Sequence, residues 1–86
     1  MSIKELVKQF NNGATHGTAS DKRVRIEGDN LINYDTIIAT RTNKGIELNI
    51  KKYSRTTTKL QNLIQIYCNV VNTYEGDNAT IYASWN

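Results

Sequence analysis

The sequence predicts an α+β fold: a small antiparallel sheet of about 4–5 strands built from hairpins, packed with two helices. Three observations carry this expectation. The tetrapeptide Glu-Gly-Asp-Asn occurs twice, at 27–30 and 75–78, each time beside a run of β-forming residues. Gly, Asp and Asn tolerate the positive φ that tight hairpin turns demand. Ile46, Leu48 and Ile50 alternate with Glu47, Asn49 and Lys51, the period of a strand with one buried face. Ile3, Leu6, Val7 and Phe10 fall at i, i+3, i+4 and i+7, a single apolar stripe along a short helix.

Taken in order, Ser2 and Glu5 have the spacing of a capping box, in which the Ser hydroxyl accepts an amide proton and the Glu reaches back. A helix over about 3–11 follows, stopped by Asn11-Asn12-Gly13 with Gly13 or an Asn in the left-handed position. Residues 13–21 are small and polar without periodicity and read as a loop. Residues 23–26 alternate basic and apolar, a strand with Val24 and Ile26 inward. After the first tetrapeptide, residues 31–41 are rich in β-formers and end at Thr42-Asn43-Lys44-Gly45, another hairpin turn. With the strand at 46–51 these make a meander of about three strands.

Ser54 or Thr56 suits the N-cap of a second helix. Leu60, Leu63, Ile64, Tyr67 and Val71 then recur at intervals of three and four residues, predicting a helix over about 56–70. Ile64, Ile66, Val70 and Val71 are β-branched, so the tail of that segment also reads as a strand. A closing hairpin is expected over about 73–85, around the second tetrapeptide. No proline divides the chain, and 86 residues make one domain, 1–86.

A chain of this size buries only roughly 60–65% of its unfolded surface, which disfavours a deep private active site. Function is expected on a surface, in a shallow groove or at an oligomer interface. One Cys, Cys68, rules out an intrachain disulfide and four-Cys zinc frameworks, and fits a reducing compartment. The first residues carry charge where a signal peptide needs an apolar run, and no apolar stretch approaches the roughly 20 residues needed to span a bilayer. A cytoplasmic protein without a membrane partner is expected.

The formal charge is +3, unevenly spread. Residues 1–40 balance to zero and residues 60–86 carry only Glu75 and Asp77. Residues 41–59 hold Arg41, Lys44, Lys51, Lys52, Arg55 and Lys59 against Glu47 alone. Within that stretch, Lys51, Lys52, Arg55 and Lys59 join Tyr53 and several hydroxyls at the expected start of the second helix, where free amides and the helix dipole favour an anion. A phosphate backbone or an acidic protein groove both suit it. The plain alternative is a solvated loop and an ordinary helix cap. Arg23 and Arg25, two residues apart on one strand face, would extend the positive surface or simply keep an exposed strand soluble.

Other candidates are weaker. His16 has no acid or nucleophile at a recognisable spacing and stands alone as a metal ligand. Cys68 reads as a small buried hydrophobe rather than a nucleophile. The tyrosines Tyr34, Tyr53, Tyr67, Tyr74 and Tyr82, with Trp85, lack the pairing of base-stacking motifs. Tyr67 reads as core, whereas Tyr74, Tyr82 and Trp85 suit either core or a protein-binding patch. Gly13, Gly17 and Gly28 do not form a phosphate-cradling loop. No catalytic residue, metal site or cofactor is expected. An enzyme would need a composite site across subunits, from residues such as His16, Asp35 and Ser54.

Gly13-Ala14-Thr15-His16-Gly17-Thr18-Ala19-Ser20, then Ile26-Glu27-Gly28-Asp29-Asn30-Leu31, Tyr34, Thr36, Ile38-Ala39 and Arg41, and finally Lys52-Tyr53-Ser54-Arg55-Thr56-Thr57-Thr58-Lys59 with Gln61 form a pattern over residues 13–61. That pattern resembles a group of short proteins and domains encoded by bacteriophages and related mobile elements. The resemblance implies origin rather than mechanism and carries no catalytic residue over. It implies a small accessory protein that binds and inhibits a bacterial defence or host protein, as anti-CRISPR proteins do. Its contact surface would be Arg41, Lys51, Lys52, Tyr53, Arg55 and Lys59, with Arg23 and Arg25 as an extension. The alternative expectation is a nucleic-acid-binding phage protein using the basic segment 41–59. The exposed edge of so small a sheet also offers a homodimer contact.

Overall fold

Ser2 caps the first helix as its spacing demands: extended itself, it accepts the Glu5 amide proton on Oγ at 3.1 Å and opens α1, Ile3–Asn11. The stripe of Leu6, Val7 and Phe10 is fully buried. Six strands follow, β1 (His16–Thr18), β2 (Val24–Glu27), β3 (Asn30–Asn33), β4 (Thr36–Arg41), β5 (Ile46–Asn49) and β6 (Val70–Tyr74), with α2 (Arg55–Tyr67) between the last two. They form one sheet in the order of the chain. The computed structural model describes residues 1–75, and over them the fold is α+β.

The sheet is larger than the four to five strands expected, because two segments hide a strand each. Residues 16–18 lie in what reads as a loop, yet they pair with β2 from His16↔Glu27 to Thr18↔Arg25. No apolar side chain marks that strand because α1 fills the space above it: a Cβ on Gly17 would approach Leu6 Cδ1 to 3.0 Å. The β-rich run 31–41 is not one strand but two. Asn33 pairs with Thr36, leaving Tyr34 and Asp35 as a two-residue hairpin turn. Tyr34 takes a φ of 57°, a conformation in which bulky side chains are strained, and no Gly or Asn marks the turn in the sequence. The first Glu-Gly-Asp-Asn turn does form as expected: Glu27 pairs with Asn30 and Gly28 takes φ 62° at the first central position.

Two further expectations need correction. Asn49, which alternation sends outward, is fully buried, and Ile50, sent inward, is exposed. The strand ends at Asn49, so the alternation of the sequence outlasts the pleat. The second helix stops at Tyr67, not at 70. Cys68 is extended at φ −115°, ψ 155°, and the β-branched Val70 begins a strand instead. Val71, assigned by spacing to the helical stripe, is therefore an exposed strand residue.

That last strand runs parallel to β5, with Ile46↔Val70 and Asn49↔Tyr74, so the sheet is not purely antiparallel. A 13-residue helix is about 20 Å long, enough to carry the chain back to the end at which β5 began. Gly45 permits the close pairing there: a Cβ would lie 2.6 Å from Val71 Cγ1 and 2.8 Å from the Asn69 carbonyl oxygen. The rest of the expected closing hairpin, with Tyr82 and Trp85, lies outside the described residues.

Both helices contribute to a single core. Leu6, Val7 and Phe10 from α1 and Leu60 and Ile64 from α2 meet Val24, Ile26, Leu31, Ile38, Ile46 and Leu48 of the sheet. Val24 and Ile26 point inward as the alternation of their strand requires. Tyr67 is only half-buried against this core, with the ammonium groups of Lys4 and Lys8 5.3 and 5.0 Å from its ring centre. Among the described residues no helix is long and apolar enough to cross a membrane.

Candidate functional site

The loop joining β5 to α2 is short of regular structure, so side chains fix it. Asn49 Nδ2 donates to the Ile37 carbonyl at 3.3 Å and to the Tyr53 hydroxyl at 2.9 Å, while its Oδ1 accepts the Lys51 amide proton at 3.1 Å. From α2, buried Gln61 donates through Nε2 to the Asn49 and Lys51 carbonyls at 2.7 and 3.0 Å. Two buried amides thus hold residues 49–53 against the end of the sheet, which satisfies polar backbone that would otherwise be buried bare.

The start of α2 is fixed equally well. Ser54 is the N-cap, accepting the Thr57 amide proton at 3.2 Å. Thr57 is buried and its Oγ1 accepts from Asn33 Nδ2 of β3 at 2.8 Å. The first turn of the helix carries no acidic residue, so nothing in it answers the positive end of the helix dipole.

On this frame Lys52, Tyr53, Ser54, Arg55, Thr58 and Lys59 line an open hollow of about 470 Å³. Among the described residues Lys52, Arg55 and Lys59 have no acidic partner within ion-pair distance. Lys51 stands beside the hollow, its ammonium 5.6 Å from the Tyr53 ring centre. Four of the six expected contact residues therefore line one concavity and Lys51 flanks it.

The arginines of the sheet sit elsewhere, each with its own acid. Arg41 is inserted beneath the end of α1, its side chain only 16% exposed. It donates to the Phe10 carbonyl, to the Ala14 and Gly28 carbonyls at 2.9 and 3.0 Å, and to Asp29 at 3.3 Å, with its guanidinium 4.8 Å from the Phe10 ring centre. It ties the first helix to the first Glu-Gly-Asp-Asn turn. Arg23 pairs with Asp21 at 2.7 Å. Arg25 pairs with Glu27, donates to the Tyr34 carbonyl and lies 4.0 Å from Asp35. None of the three lines the hollow.

A smaller hollow of about 200 Å³ adjoins the first and shares Tyr53 and Ser54 with it. Tyr34, Thr36 and Ile38 form its far side. Tyr34 is 64% exposed, and spacing gave no reason to connect it with Tyr53. Its position in the two-residue turn is the signal, and that turn is visible only once the register of β3 on β4 is known.

Elsewhere, His16 is exposed with only the neighbouring Thr15 hydroxyl near its ring, at 3.4 Å. Cys68 is half-buried, its thiol donating to the Val7 carbonyl at 3.8 Å. Burial pushes its pKa up to about 11, which opposes a nucleophilic role at neutral pH. Among the described residues no group of three or more His, Cys, Asp or Glu could hold a metal ion. Compared with known proteins, the chain matches no family model, no curated protein and no solved structure.

Proposed function

We propose that this chain is a non-enzymatic binding protein of phage origin that inhibits a bacterial defence or host protein by seating an acidic part of it on the hollow at the start of α2. One observation carries the reading. Every arginine of the sheet is matched with an acid, while Lys52, Arg55 and Lys59 are gathered around a concavity with none. A cluster of like charges costs free energy in the unbound protein, so a complementary anion gains from it. The frame beneath is fixed by the hydrogen bonds of Asn49 and Gln61, so little order has to be created on binding. The resemblance to phage proteins supplies the bacterial partner and hence a cytoplasmic site of action.

The test is capture from a bacterial lysate with nuclease present, by the native chain and by a Lys52→Ala/Arg55→Ala/Lys59→Ala variant. We expect the native chain to retain a defined protein and the variant to lose it with a melting temperature nearly unchanged, since all three side chains are exposed. Undiminished capture by the folded variant would sink the assignment. A nucleic-acid ligand would instead vanish on nuclease treatment, with affinity falling by orders of magnitude between roughly 50 and 200 mM salt.

A further inference from the structure

We infer that the two adjoining hollows form one groove, and that its occupant is an extended peptide segment in which acidic residues are followed by one apolar anchor side chain. This rests on the reading above and narrows it to a class of ligand. The basic end, around Lys52, Arg55 and Lys59, supplies the charge complementarity. The other end has the wrong chemistry for more charge. It is walled by Tyr34, Ile38 and Tyr53, and at about 200 Å³ it falls below the roughly 300–1,000 Å³ of small-molecule sites, a room for a single side chain.

Asp35 decides between a peptide and a continuous polyanion. It stands fully exposed between two residues that line the small hollow, with Arg25 no nearer than 4.0 Å. A phosphate backbone running the length of the groove would meet that carboxylate just where it left the lysines. A peptide whose acids stop before the anchor would not. The remaining arginines, tied to acids on other parts of the sheet, offer the backbone no continuing track. Tyr34 is held at the rim in a strained conformation by the hydrogen bond its backbone N–H donates to the Arg23 carbonyl at 2.8 Å and by the Arg25 guanidinium donating to its own carbonyl. Strain of this kind persists where the surroundings enforce it, and it clusters at ligand clamps.

Fluorescence anisotropy with three labelled probes tests this: a capped peptide with a run of glutamates followed by Phe, the same peptide with Ser for Phe, and a short oligothymidylate. The native chain is expected to bind the Phe peptide roughly tenfold or more tighter than the Ser peptide, the gain from burying one aromatic anchor. Tyr34→Gly should erase that difference without lowering the melting temperature, because glycine accepts the positive φ. The triple alanine variant should weaken both peptides alike. Equal affinities for Phe and Ser peptides, both lost in the triple variant, would overturn the anchor and leave the acidic-partner reading standing. Peptides bound equally by native and triple variant, or not bound at all, would overturn the groove. Tighter binding of oligothymidylate than of the Phe peptide would overturn it in favour of nucleic acid.

Discussion

Arg41 illustrates how little a cation's position in a charge run says about its task. It belongs to the basic stretch by sequence, yet its guanidinium is spent on three carbonyls and Asp29 beneath α1. The five donors of a planar guanidinium reach four separated acceptors through two nitrogens, which the single nitrogen of a Lys ammonium does not. We expect Arg41→Lys to cost about 2 kcal/mol and to lower the melting temperature by roughly 10 °C, read by calorimetry. Cys68 offers a chemical check at the same scale. With its pKa raised to about 11 from 9.0, the folded thiol holds its proton where the unfolded one has released it. Its contribution to stability is therefore full below about pH 9 and is lost as pH rises towards 11. At pH 8 the thiolate is about a hundredfold scarcer than at an unperturbed cysteine, and a disulfide reagent should label the native chain slowly and the urea-unfolded chain fast.

Among the elements, those that obey a single period were legible and those that depend on a neighbour were not. Ser2 and the stripe from Ile3 to Phe10 gave α1 its bounds, Gly28 gave the first hairpin, and the apolar spacing of Leu60 and Ile64 gave α2 its buried face. The strand at 16–18, paired with β2, was hidden because its central residue is a glycine, with Leu6 of α1 filling the space a side chain would take. The parallel return of β6 was hidden because alternation is the same in either direction. The candidate site divides likewise. Lys52, Tyr53, Arg55 and Lys59 were visible as charge beside a cap, whereas Asn33, Asn49 and Gln61, which hold them, are polar residues whose burial no local pattern announces. Gln61→Leu keeps the size of the side chain but removes the donor to the Asn49 and Lys51 carbonyls. It should cost about 1–3 kcal/mol in urea titration and weaken partner capture even though no charge has changed. Capture unaffected by this variant would show that the hollow does not depend on the loop's anchoring.

At the scale of the whole molecule, the arginines at 23, 25 and 41 each pair with an acid close by, whereas Lys52, Arg55 and Lys59 gather without one where β5 passes into α2. The strand order has a consequence in time rather than in space. Because β1 to β6 lie side by side in the order in which they are made, each strand leaving the ribosome finds its partner already waiting, and only β6 must wait for a helix before it can dock. Nascent-chain assembly of that kind needs no long search, and there is no proline in the sequence to impose a slow isomerisation. Stopped-flow refolding should accordingly show one exponential with no phase of tens of seconds. A second, later phase sensitive to changes in β6 would overturn that expectation and show the last strand docking as a separate step.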